Sequence, residues 1–113
     1  MNNKASELIQ QGDVLVFTNH EKLPAEAQEV QPIKGRLILA EGEATGHSHS
    51  ISLMDYPSTR LFEHEGNKFL ECLEQVEVVH EEHHKVVIPK GLHRIGIVVE
   101  VDPFADEIRK VKD

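Results

Sequence analysis

Apolar and polar residues alternate over short stretches of this chain, and glycine, proline and acidic residues punctuate the stretches. Val14-Leu15-Val16-Phe17 is a compact β-forming run between Gly12-Asp13 and Thr18-Asn19. Residues 36–40 form a second, entered at Gly35 and left at Gly42. Residues 47–53 alternate strictly, so a strand there sends His47, His49, Ile51 and Leu53 to one face and Ser48, Ser50 and Ser52 to the other. Residues 60–64 and 68–73 predict the arms of a hairpin around Glu65-Gly66-Asn67. Residues 76–80 and 86–88 are further strands, the second leading into the turn Pro89-Lys90-Gly91. Residues 93–101 are the longest strand, with His93, Ile95, Ile97, Val99 and Val101 on one face. Residues 20–34 are polar, contain Pro24 and Pro32, and predict a loop with one helical turn at 25–28. Short helices are expected at both ends. Residues 4–11 form the first, stopped at Gly12; Asp102 and Pro103 supply the N-cap and first position of the second, which turns Phe104 and Ile108 inward. The predicted fold class is all-β: a small single-domain barrel or sandwich of about eight short strands with short terminal helices.

Composition narrows the function classes. The chain has 113 residues, enough for one domain that buries about two-thirds of its unfolded surface. Its formal charge of −8 argues against nucleic acid or an anionic membrane as the main partner. Cys72 is the single cysteine, which rules out an intrachain disulfide and a cysteine-rich zinc site. The start of the chain lacks the apolar stretch of a secretory signal, and no apolar run reaches a membrane span, so a cytoplasmic location is expected. Eight histidines stand out in a chain with one tyrosine and no tryptophan.

The histidines carry the chemistry. His47 and His49, two apart on one strand face, set two imidazoles side by side, and Ile51 and Leu53 continue that face inward. Adjacent imidazoles facing a core need partners, and a divalent transition metal (zinc, iron, nickel or copper) satisfies both. His80-Glu81-Glu82-His83-His84 is the second cluster: His80 falls on the face of Val76 and Val78, His83 curls back if the segment turns, and Glu81 or Glu82 supplies a carboxylate. The string formally reads H-E-x-x-H from His80 to His84. A zinc-protease motif needs a helix, and the flanking β-branched runs argue against one. His93, past the Pro89-Lys90-Gly91 turn, is the third element. The candidate metal ligands are therefore His47, His49, His80, His83 and His93. His20 and His64 are expected at the surface. Cys72, flanked by Leu70, Glu71 and Leu73, reads as a buried inert thiol. Ser48 and Ser50 face away from the neighbouring histidines, which disfavours a Ser-His pair.

His47-Ser48-His49 followed by Pro89-Lys90-Gly91 and His93 resembles the cupin superfamily over about residues 42–97. That resemblance implies a small β-barrel whose metal is held by the His-x-His pair and the later histidine. The chain departs from the pattern. Ser52-Leu53-Met54 stands where the family has a glutamate, His93 lies one residue closer to its glycine, and Ile97 stands near the family's closing asparagine. The string also resembles small uncharacterised bacterial and phage proteins, a likeness that implies no activity.

The expected function is binding of one divalent transition metal through the histidine cluster. An open coordination position would allow catalysis on a small-molecule substrate. The competing reading is a non-enzymatic homo-oligomeric interaction module, such as a phage or accessory structural protein, whose sheet edges pair with a copy. A third reading makes the clustered imidazoles a pH switch. The sequence assigns neither catalytic residues nor an organic cofactor.

Overall fold

The computed structural model describes residues 7–41, 46–102 and 107–110, with side chains through residue 98. Among them are twelve strands and no helix: β1 (Leu8–Gln11), β2 (Val14–Phe17), β3 (Gln28–Val30), β4 (Arg36–Glu41), β5 (Ser48–Ser52), β6 (Arg60–His64), β7 (Asn67–Cys72), β8 (Val76–Val78), β9 (Val86–Ile88), β10 (Gly91–Ile97), β11 (Val99–Asp102) and β12 (Glu107–Lys110). Six of them form one sheet in the order β1-β2-β10-β7-β6-β3, and β4-β5, β8-β9 and β11-β12 are two-stranded ribbons. Every strand pairing is antiparallel. The all-β expectation holds, but the sheets do not close into a barrel: β1 and β3 remain edges of the large sheet.

Among the described residues the expected terminal helices are absent, and residues 4–6 of the first lie outside them. Leu8–Gln11 pairs with β2, Gln11 opposite Val14, across the two-residue turn Gly12-Asp13. Gly12 has φ 58. A glycine at positive φ suits both a helix C-terminus and the first central position of a type II′ hairpin turn, so its signal was ambiguous. Pairing wins because the eight residues expected to be helical are too few to sustain a helix alone. At the other end, Glu107–Lys110 pairs with β11, and Asp102 belongs to that strand rather than capping a helix. Residues 103–106 lie outside the described residues. The turn expected at 25–28 is limited to one bond, Ala27 N–H to Pro24 O, before β3 begins against β6. The long strand expected at 93–101 starts at Gly91 and breaks at Val98, whose N–H donates to the Asp13 carbonyl.

One core joins the large sheet to the β4-β5 and β8-β9 ribbons. Leu37 and Ile51 from the first ribbon, Val76 and Ile88 from the second, and Leu61 and Leu70 from the large sheet are all fully or almost fully buried in it. Alternation works as the sequence implies on β10, where His93 and Ile95 are buried and their neighbours half-buried. The β4-β5 pairing slips by one residue between Ile38 and Ala40. This bulge resets the register immediately before His49, which pairs with Ala40.

Candidate metal centre

Two backbone devices assemble the histidines. Beyond β8, Ser50 and Val79 exchange both backbone hydrogen bonds, at 3.0 and 2.9 Å. Continuing that antiparallel register sets His49 opposite His80 and Ser48 opposite Glu81. The side chains follow. The rings of His49 and His80 lie 4.3 Å apart between centroids. The Ser48 N–H donates to Glu81 Oε1 at 2.9 Å. The polar connection between β8 and β9 then turns back, so His83 lies 4.5 Å from the His80 ring and stacks on His49 at 5.9 Å. His47 meets the His80 ring edge-on at 5.8 Å. His49 and His80 are buried, and His47 and His83 are half-buried.

The second device is the β1-β2 hairpin. Its turn delivers Gln11 and Asp13, neither of which sequence reasoning singled out. Gln11 Nε2 donates to the Val78 and His84 carbonyls at 3.0 and 2.8 Å. Carbonyls only accept, so these two bonds fix the amide with Oε1 toward His49 Nδ1, 2.8 Å away. His49 therefore carries its proton on Nδ1 and directs Nε2 at Asp13 Oδ1, 3.5 Å away. An imidazole lone pair and a carboxylate oxygen facing each other share a cation, either a proton or a metal ion. Two ligands of a tetrahedral ion with bonds of about 2.1 Å are separated by about 3.4 Å, which matches this spacing.

Carboxylates surround the cluster. Hydrogen bonds from the Ser48 N–H and its own backbone hold Glu81 below the ordinary carboxylate range, and nearby His47 and His80 act in the same direction. Glu82 Oε2 is 3.6 Å from His47 Nδ1. The Glu82 N–H donates to His80 Nδ1 at 3.0 Å, which leaves the proton of neutral His80 on Nε2. One ligand atom each from His47, His80 and Glu81 lies within 4.8 Å of the other two.

Four of the five candidate ligands thus come together: His47, His49, His80 and His83. His93 stands apart. Its Nδ1 accepts the Asn19 N–H at 3.2 Å and its Nε2 donates to the Pro89 carbonyl at 2.6 Å. His84 contributes its carbonyl to Gln11 and exposes its side chain. The His80–His84 string sits in a strand connection, without the helix a zinc-protease motif needs. His20 and His64, both expected at the surface, are half-buried, with the His20 ring 5.1 Å from that of Phe69. Gln11 and Asp13 left one faint signal, two polar residues flanking a hairpin glycine.

Cys72 is buried on β7, and burial, aided by Glu71, pushes its thiol up to about 12. At pH 8 the folded protein is expected to resist iodoacetamide and to be labelled once urea unfolds it. Rapid labelling of the folded protein, followed by mass spectrometry, would contradict this.

Fold and cluster together define an all-β protein with a partly buried four-histidine centre flanked by carboxylates. The chain belongs to the family described as Domain of unknown function (DUF8820), whose model matches residues 10–97. The matched span contains every residue of the centre, and the membership carries no cupin assignment. No curated protein and no solved structure in the comparison matches the chain.

Proposed function

We propose that the protein binds one divalent transition metal ion (zinc, iron, nickel or copper) at this centre. The observation that carries the reading is the convergence of His47, His80 and Glu81, with one ligand atom of each within 4.8 Å of the others. The His49–Asp13 spacing, beside the His80 ring, also supports it. Imidazole and carboxylate donors favour these metals over calcium or magnesium. The Gln11 contact to Nδ1 is the outer hydrogen bond that a metal-binding histidine requires to present Nε2. His80 would supply one ring nitrogen to the ion.

The test uses protein prepared without a histidine tag. Mass spectrometry of the intact protein with zinc should find about one ion per chain, and cobalt substitution should give visible absorption bands. His47→Ala/His49→Ala should abolish both. Occupancy below about one-tenth of an ion per chain, unchanged in the double variant, would refute the reading.

A further inference from the structure

Arg36 and Lys34 run against the character of the chain. The formal charge is −8, yet both cations line a cavity of about 540 Å³ whose described lining contains one carboxylate, Glu81. Among the described residues neither forms an ion pair, and the one side-chain bond of Arg36 is from Nη1 to Ser50 Oγ at 3.3 Å. The β4-β5 register explains the placement. Ile38 pairs with Ser50 and Arg36 with Ser52, so all four share the ribbon face opposite Leu37 and Ile51, which enter the core. Ile33, 57% exposed, also lines the cavity, as do His80 and Glu81. The volume falls within the roughly 300–1,000 Å³ of small-molecule sites.

We infer that this cavity binds a small organic carboxylate, anchored by Arg36. The guanidinium takes both carboxylate oxygens with its fork of donors, and Lys34 adds a second positive charge. Ile33 and Ile38 cover a short apolar body, which runs toward His80 and Glu81. A monoanion suits the site better than a phosphate. The site has one guanidinium fork and no helix N-terminus among the described residues, and Glu81 would repel a dianion. The inference builds on the metal centre by naming the class of molecule presented to it. The Arg36 anchor itself needs no ion.

The probe is hexanoate, compared with hexanol and inorganic phosphate, titrated into zinc-loaded and chelator-treated protein and followed by amide NMR shifts. Hexanoate should saturate at millimolar concentration, move the Ile38 and Ser50 amides, and bind better than hexanol or phosphate. Arg36→Gln should weaken hexanoate by about tenfold or more, and Arg36→Lys, which keeps the charge but not the fork, by less. Both variants should keep the wild-type melting temperature and zinc affinity, since Arg36 is exposed and lies outside the ligand set. Hexanoate that fails to saturate by about 50 mM, or binds Arg36→Gln as well as wild type, overturns the inference. So does tighter binding of phosphate. Arg36-dependent hexanoate binding by a protein that takes no zinc would uphold the pocket and refute the metal centre; zinc binding without hexanoate would do the reverse.

Discussion

Gln11→Ala is expected to destabilise the protein by about 2–4 kcal/mol and to weaken zinc binding by about 10–100-fold. The side chain is 4% exposed and spans three structural pieces. It donates to the carbonyls of Val78 and His84 and accepts from His49 Nδ1. Truncation strips a partner from two carbonyls and one ring N–H in a dry setting, at about 1–3 kcal/mol for each buried group left unmade. Partial rehydration near half-exposed His83 and exposed His84 keeps the total below the sum. The metal effect has a separate origin: without Oε1, nothing holds His49 with its proton on Nδ1 and Nε2 toward Asp13. Gln11→Glu separates the two. It keeps the acceptor for His49 but turns an oxygen toward the two carbonyls, so stability should fall while zinc affinity holds at or above wild type. Urea denaturation and competitive zinc titration provide the two readings. If Gln11→Ala stays within about 0.5 kcal/mol of wild type in both, the amide does not support the centre.

Sequence reasoning reached the cluster further than it reached the fold around it. Strict alternation of His-Ser-His-Ser-Ile-Ser-Leu showed that His47 and His49 share a face, and the Val76-Val78-His80 pattern aimed His80 inward. Both are local features with a period of two. What joined them is the Ser50–Val79 bridge, a pairing across 29 positions that no local pattern encodes. The same limit hid Gln11, whose bonds to Val78 and His84 span 67 and 73 positions. The missed terminal strands failed for a different reason: a glycine at positive φ serves a helix end and a hairpin turn equally, and sheet partners decide between them. His93 was legible on the face of Ile95 and Ile97, where a lone histidine is more often a satisfied core or rim residue, but its hydrogen-bond partners were not legible. The Asn19 N–H that occupies its Nδ1 comes from a distant loop.

His93→Gln is expected to lower stability by about 1–3 kcal/mol near pH 7.5, to leave zinc affinity unchanged, and to narrow its stability gap to wild type as the pH falls. The wild-type ring is fully buried, with an N–H donor already pointing at Nδ1 from Asn19. Protonating Nδ1 would set two donors against each other in the core. Burial holds the group below its ordinary value of 6.5, and the opposing pull of the Pro89 carbonyl is the smaller influence. The sign follows from proton uptake. Below about pH 6.5 the unfolded chain takes up a proton on this residue before the folded chain does, so wild-type stability is complete above that pH and declines as pH falls toward the folded value. One proton limits the slope to about 1.4 kcal/mol per pH unit. Glutamine keeps an amide donor for Pro89 and cannot titrate, so the variant lacks this part of the slope. His47, His49, His80 and His83 are common to both proteins, and their contributions cancel in the difference. Urea unfolding of metal-free wild type and variant at several pH values between about 7.5 and 5 measures the gap. A gap that stays constant across the range would show that His93 is protonated equally in both states. A loss of zinc binding in His93→Gln would instead return His93 to the metal, as the cupin resemblance implies, and would require the Asn19 and Pro89 contacts to break when the ion enters.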